Sequence, residues 1–133
     1  MPHAPANDAA RRHRLADHLP ALRAMLEHQR RFRQEQLAEL DTVLANAAAP
    51  TDEARREVAV KVAAAARQAL ADIDIALALV TNGGYGRCRR CGTDIPLSLL
   101  RAIPTSRWCL ACRRRRTPVT ARIPRRRLPI NIS

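Results

Sequence analysis

The chain has 133 residues, a formal net charge of +12 and three aromatic side chains, one each of Phe, Tyr and Trp. Although 47% of the residues are hydrophobic, many of these are alanines, so bulky apolar side chains are scarce. Length and composition therefore exclude a large globular core and favour one elongated domain with tails.

The positive charge lies in the second part of the chain. Residues 1–80 hold 11 basic and 11 acidic side chains, whereas residues 81–133 hold 13 arginines and one acid, Asp94. Such a division suggests that a basic region meets nucleic acid or an acidic protein surface. The alternative is that these arginines are ordinary solvent-exposed residues, since the chain uses arginine almost exclusively as its basic residue, with 23 Arg and one Lys.

No membrane or export segment is visible in the sequence. The first residues, MPHAPANDAARRHR, lack the apolar stretch of a signal peptide, and the apolar run IALALV at 75–80 is too short to span a bilayer. We therefore expect a cytoplasmic protein without membrane contact, in which thiols stay reduced and paired cysteines hold a metal rather than form disulfides.

The first part of the chain predicts a helical hairpin. Residues 1–19 lack apolar periodicity and are interpreted as a disordered leader, and residues 20–80 form the hairpin, whose tip lies near 46–54. The first helix begins at Pro20, and Gln29 and Arg33 interrupt its apolar stripe. The stripe residues of the first helix are Leu22, Leu26, Leu37, Leu40 and Leu44.

The second helix follows a break at Pro50. Thr51 or Asp52 can cap its start, and TNGGYG at 81–86 ends it, because glycines readily adopt the left-handed conformation at a helix terminus. The residues predicted to face the first helix are Val58, Val62, Ala65, Ala69, Ile73, Leu77 and Val80. Alanine dominates this seam, so the hairpin alone should be marginally stable.

The four cysteines predict a structural zinc site. They form two CxxC pairs with 17 residues between the pairs: Cys88, Cys91, Cys109 and Cys112. This spacing is typical of one zinc ion held by four thiolates within a finger over 81–116. A redox pair or disulfides are the alternatives. A closed four-cysteine site leaves no position for water, and no nucleophile elbow or phosphate-binding glycine loop occurs, so we expect no enzymatic activity.

The last segment is a basic tail over residues 117–133, in which Pro118, Pro124 and Pro129 prevent a continuous helix. Its arginine block at 125–127 and the arginines that follow the last cysteine are candidate polyanion-binding residues. They are Arg113, Arg114, Arg115, Arg116, Arg125, Arg126 and Arg127.

The hairpin followed by GGYGRCRRCGTDIP resembles the DksA/TraR family of zinc-finger transcription regulators. Cys88, Cys91, Ile95, Pro104, Cys109 and Cys112 fall in the register of the family's finger. Arg89 stands where the family usually has Ser, Asp or Glu, and Leu99 stands where it usually has Arg. The resemblance implies a mainly α fold, in which an antiparallel helical hairpin (coiled coil) precedes a small four-cysteine zinc module and a basic tail.

The resemblance also implies a mechanism. Such proteins bind RNA polymerase without contacting DNA and insert the coiled coil into the secondary channel, where the tip modulates initiation. The polymerase-contacting tip would consist of Asp52, Glu53 and Ala54, with Ala49 replacing the first aspartate of the family's Asp-x-x-Asp-x-Ala motif. A plain helix cap is the alternative role for Asp52 and Glu53. The second helix has few basic residues, so we assign no (p)ppGpp site.

The expected partner is therefore RNA polymerase, bound by a monomer. The alternative function is a nucleic-acid-binding zinc ribbon that acts through the arginine-rich C-terminal region. The near absence of aromatic stacking partners argues against that alternative. A helical adaptor with a structural zinc is a third interpretation.

Overall fold

The computed structural model describes residues 5–46 and 53–116 and has four helices in that part of the chain. They are α1 (Pro5–Asn46), α2 (Glu53–Asn82), α3 (Leu97–Ala102) and α4 (Leu110–Arg116). Within these ranges there is no strand, only an isolated antiparallel bridge between Arg87 and Asp94. The predicted mainly α fold is confirmed.

Helix α1 is longer than the sequence predicted. It begins at Pro5 and continues through Pro20, so residues 5–19 are helical and the prediction of a disordered leader was wrong for them. Leu15, only 6% exposed, precedes Leu22 and Leu26 at helical spacing and lines a cavity together with Ile95. This apolar burial offsets the unfavourable proline inside the helix.

Helices α1 and α2 form the predicted antiparallel hairpin. Low residue numbers in α1 pair with high numbers in α2: Arg30 Nε donates to Asp74 Oδ1 at 2.7 Å, and Arg67 Nη2 lies 3.5 Å from Asp41 Oδ1. These ion pairs are more than 40% exposed, so each stabilises the hairpin only weakly. The pairing of the helices depends on the seam between them.

The seam residues of α2 differ from the prediction in its first half. Ala59, Ala63 and Ala66 are buried, whereas Val58 is 62% exposed and Val62 is 36% exposed. Together with Ile73, the buried alanines follow the alternating spacing of four and three residues that is typical of coiled coils. The prediction of Val58, Val62 and Ala65 as packing residues was therefore wrong by one position, because it started from the larger valine side chains rather than from the seven-residue repeat.

The α1 side of the seam is divided into two parts. Leu22 and Leu26 are fully buried, but Gln29 and Arg33 are only partly buried, as they interrupt the apolar stripe. Arg33 Nη1 donates to Gln36 Oε1 at 3.0 Å, which satisfies part of this polar layer. We call residues 16–32 and 71–85 the proximal half of the hairpin, and residues 33–46 and 53–70 its distal half.

Helix α2 ends as the glycine pair predicted. Gly83 adopts a left-handed φ of 86°, and Gly84 N donates to Leu79 O at 3.0 Å, which supplies a partner for a terminal carbonyl. Tyr85 N also donates to Leu79 O, and its side chain is only 2% exposed. The chain thereby leaves the helix sharply, three residues before the first cysteine.

The chain divides into two compact units. One is the hairpin, Ala16–Tyr85, and the other contains the cysteines together with the described residues up to Leu15. None of the helices in the described part of the chain combines the length and the apolar character that crossing a bilayer requires.

Candidate metal centre

The first cysteine pair lies in a tight turn. Cys88 N donates to Thr93 O at 2.7 Å, and Gly92 N donates to Cys88 O at 3.0 Å. Gly92 has a φ of 78°, a conformation that side chains disfavour, so the glycine lets the chain turn back directly after Cys91. The turn therefore brings the sulfurs of Cys88 and Cys91 to one side.

The second cysteine pair is placed by α4. Arg113 N donates to Cys109 O at 2.8 Å, which extends the helical pattern back to Cys109. Cys112 lies in the first turn of α4 and is fully buried, whereas Cys109 is partly exposed. A helix therefore presents both thiols of this pair towards the first turn.

A backbone hydrogen bond joins the two cysteine turns. Arg89 N donates to Arg107 O at 2.7 Å, and the Arg89 guanidinium carbon lies 6.0 Å from the centroid of the Trp108 ring. This distance permits a cation–π contact. Arg89, which departs from the family's usual residue, therefore has a partner within the finger.

The four sulfurs form one cluster that fits a single metal ion. The Sγ atoms of the four cysteines lie within 4.8 Å of one another, and the sulfurs of Cys91 and Cys109 are 3.7 Å apart. Zn–S bonds of about 2.3 Å in a tetrahedron place neighbouring sulfurs about 3.8 Å apart. The predicted structural zinc is confirmed, and four thiolates close its coordination sphere.

The surroundings of Cys88 and Cys91 lower the pKa of both thiols. Burial raises the pKa of Cys88, but the backbone N–H groups of Cys91, Cys109 and Arg90 overcome this effect and lower the pKa to about 6. The Thr93 hydroxyl lies 3.0 Å from Cys91 Sγ and lowers the pKa of that thiol. Both groups therefore favour the thiolate that zinc requires.

Cys112 behaves differently from the first pair. Burial raises the pKa of Cys112 to about 11, although Arg115 Nη2 approaches its sulfur at 3.5 Å. A buried thiol of this kind stays protonated unless a cation replaces the proton. The sequence did not identify Thr93, and it predicted Arg115 only as a polyanion-binding residue, because neither residue belongs to the CxxC pattern.

A small apolar core supports the cysteine turns. Ile95 and Leu100 are buried, and Ile95 N donates to Gly86 O at 2.8 Å. Ser106, also buried, donates its hydroxyl to Ile103 O at 2.7 Å. Beside Ile95 is a cavity of about 280 Å³, which Arg14 and Asp94 also line.

The predicted tip lies partly within the described structure. Glu53 and Ala54 are exposed in the first turn of α2, and Arg56 Nη1 donates to Leu44 O at 3.1 Å across the hairpin. Asp52 and Ala49 lie outside the described residues, so the predicted cap at Asp52 stays a prediction.

The predicted polyanion-binding arginines fall into two groups. Arg113, Arg114, Arg115 and Arg116 lie in α4, so the helix continues four residues past the last cysteine. Arg125, Arg126 and Arg127 lie outside the described residues, as does the whole predicted tail over 117–133.

Comparison with known proteins agrees with this architecture. Residues 83–118 match the prokaryotic dksA/traR C4-type zinc finger family. An uncharacterized protein of Aquifex aeolicus (strain VF5) is 49% identical over 43 residues, or 32% of this chain, and the matched stretch covers only 30% of that relative. The structure of transcription factor DksA2 from Pseudomonas aeruginosa superimposes with a TM-score of 0.67 and 25% identity, over 77% of this chain and 85% of that one.

The hairpin and the thiolate cluster define a helical protein with a C4-type zinc finger. The finger over residues 83–118 is similar to the dksA/traR C4-type zinc finger, and the fold over 77% of the chain is similar to that of transcription factor DksA2, so the chain is DksA-like in these two respects.

Proposed function

We propose that this protein binds RNA polymerase and modulates transcription initiation by inserting the hairpin tip, residues 46–54, into the secondary channel. The observation that carries the proposal is the fold shared with transcription factor DksA2 over 77% of the chain. A hairpin in which only six residues separate the end of α1 from the start of α2 has the form that a probe of a narrow channel needs. The protein acts as a cytoplasmic monomer in this proposal.

The distal half of the hairpin supports this role. Its α2 seam consists of Ala59, Ala63 and Ala66, and small interface residues let two helices approach at the lower end of the usual range of roughly 8–10 Å. The hydrogen bond from Arg56 to Leu44 O joins the C-terminal part of α1 to the N-terminal part of α2. A distal half in which small residues and a hydrogen bond hold the two helices close together is suited to enter a pore.

The acidic residues at the start of α2 would act on the polymerase. Glu53 and Ala54 are exposed there, and Asp52 precedes them directly in the sequence. The negative charges also favour the helix by interacting with its positive N-terminal end. In this proposal zinc has a structural role only, and the catalytic chemistry belongs to the polymerase.

The test is direct binding of the zinc-loaded protein to the RNA polymerase of its host, followed by a measurement of open-complex lifetime. We expect tight binding and an altered lifetime, and we expect Asp52→Asn to retain binding while losing most of the effect on lifetime. Asp17→Asn is the matched control, because Asp17 is an exposed acid of α1 far from the tip in the sequence.

Two results would contradict the proposal in different ways. Binding with a lifetime effect that Asp52→Asn does not change would remove the role of the tip acid but keep the partner. A failure of the zinc-loaded protein to bind polymerase would remove the partner itself.

A further inference from the structure

The metal centre is surrounded by arginines. Seven of them lie within three residues of a cysteine ligand: Arg87, Arg89, Arg90, Arg107, Arg113, Arg114 and Arg115. Because the four sulfurs lie within 4.8 Å of one another, the backbone at these seven positions converges on one small module. Five of the side chains are exposed, and those of Arg107 and Arg113 are partly exposed. The module therefore presents concentrated positive charge.

The positive charge of these arginines exceeds the negative charge of the zinc–thiolate cluster. Zinc with four thiolates carries a net charge of about −2. Residues 86–116 contain nine arginines and one carboxylate, Asp94, which leaves a net charge of about +6 on the zinc-loaded finger. Arg115 approaches the sulfur of Cys112, and Arg89 lies over Trp108, so both of these arginines make contacts inside the finger. Exposed arginines such as Arg87, Arg90 and Arg114 extend the charge over its surface.

We propose that the zinc finger of this protein binds the phosphate backbone of duplex nucleic acid directly. The planar guanidinium group of arginine donates paired hydrogen bonds to phosphate oxygens, and DNA offers one negative charge per roughly 1.7 Å of helix axis. A cluster of arginines on several segments matches this dense and regular array better than the scattered carboxylates of a protein surface.

The arrangement favours backbone contacts over base reading. Arg113, Arg114 and Arg115 are consecutive in α4, and successive side chains of a helix diverge by about 100°. They therefore fan out around α4 and cannot all enter one groove. Trp108 is the only aromatic residue from Gly86 onward, and Arg89 lies over its ring. Binding should accordingly depend little on sequence.

This inference is independent of the proposed binding to polymerase, because purified protein and nucleic acid suffice to test it. The probe is a fluorescent DNA duplex of about 20 base pairs and arbitrary sequence, titrated with zinc-loaded full-length protein from about 50 to about 200 mM salt. We expect log Kobs to fall linearly with log salt, with a slope of about −0.9 for each phosphate contacted.

The decisive variant is Arg90→Gln/Arg114→Gln, which removes one exposed arginine beside each cysteine pair. We expect the magnitude of the salt slope to fall by about two and the affinity near 0.1 M salt to fall roughly tenfold or more. Arg90→Lys/Arg114→Lys should retain most of the slope, because the charge is kept. The matched control is Arg31→Gln/Arg55→Gln, which removes two exposed arginines of the hairpin and should leave the slope unchanged.

Each protein is first shown to hold one zinc per chain. If the Arg90 replacement lowers the zinc content, Arg87→Gln/Arg114→Gln makes the same comparison, because Arg87 is exposed and lies outside the cysteine loop. A further full-length variant, Arg125→Gln/Arg126→Gln/Arg127→Gln, measures the contribution of the C-terminal arginines.

Three results would overturn the proposal. The first is duplex binding that the finger variants leave unchanged and the C-terminal variant abolishes, since the site would then lie outside the finger. The second is competition by polyglutamate that equals competition by unlabelled duplex at the same charge concentration, which would indicate an acidic polypeptide as the ligand. The third is the absence of duplex binding at about 50 mM salt.

Discussion

The hairpin and the zinc finger are held together in opposite ways. The hairpin distributes its stability over two helices of 42 and 30 residues, and the buried residues of α2 are alanines apart from Ile73. The finger concentrates its stability in four sulfur atoms within 4.8 Å and a core that includes Ile95 and Leu100. Many small changes should therefore be tolerated along the hairpin, whereas single atoms are critical in the finger.

The same contrast recurs inside the hairpin. In the proximal half Leu22 and Leu26 are fully buried, and Ile73 is 2% exposed. The distal half has alanines on α2 and a partly buried polar layer that includes Arg33 on α1. The apolar area removed from water is therefore larger in the proximal half, which should be the last part of the hairpin to unfold.

The largest expected effect comes from removing one sulfur. Cys112→Ser should abolish stoichiometric zinc binding, because structural zinc supplies roughly 10–16 kcal/mol in isolated fingers and needs all four ligands. Zinc content and tryptophan fluorescence measure the change, since Trp108 lies next to Cys109. Ala111→Ser is the control, because Ala111 is the exposed neighbour of Cys112 in α4. Retention of one tightly bound zinc by Cys112→Ser would show that the cluster is not a four-cysteine site.

A smaller effect is expected from the proximal seam. Leu26 is fully buried, so Leu26→Ala should lower the free energy of unfolding by about 2–5 kcal/mol. Met25→Ala, at a neighbouring site that is 37% exposed, should cost considerably less. Denaturant unfolding followed by circular dichroism measures both values. Equal losses at the two positions would mean that the seam does not run through Leu26.

The distal seam responds to added volume. Ala66→Leu should destabilise the hairpin by about 1–3 kcal/mol, because Ala66 is fully buried and a larger side chain forces the helices apart. Ala65→Leu, at the exposed adjacent position, should change the free energy of unfolding by less than about 0.5 kcal/mol. A larger loss of stability from Ala65→Leu than from Ala66→Leu would support the seam predicted from the sequence, which runs through Val58, Val62 and Ala65.

The smallest effect concerns Tyr85, at the end of the hairpin, whose ionisation changes the stability only at alkaline pH. Burial raises the pKa of Tyr85 to about 12 from an ordinary value of 10.0. The folded state thus holds the phenol proton more tightly than the unfolded state, so the associated stability is complete below pH 10 and is lost as the pH rises through about 12. Tyr85 is the only tyrosine, so phenolate absorbance reports its titration directly. A native midpoint near that of the denatured chain would contradict the burial.

The sequence was sufficient where chemistry or backbone geometry fixes the residue. The four cysteines could be identified because two CxxC pairs at this spacing are typical of a zinc site, and the end of α2 followed from Gly83 and Gly84. The hairpin itself followed from two periodic segments separated by Pro50. In each case the decisive property belongs to the residue type.

The remaining features depend on packing that a single sequence does not specify. The seam of α2 could not be placed correctly because Val58 and Val62 are more hydrophobic than the alanines beside them, and only the partner helix decides which face is buried. The start of α1 was missed because Pro20 normally marks a first turn, whereas Leu15 is buried and lines a cavity with residues that lie more than 70 positions later.

One tyrosine and one tryptophan are distributed between the two units: Tyr85 closes the hairpin, and Trp108 lies in the finger. Each unit therefore carries its own natural optical reporter. Phenol and indole signals recorded on one unlabelled sample can be followed separately during heating or chelation. Coincident transitions would identify a single cooperative folding unit, and separate transitions would identify two.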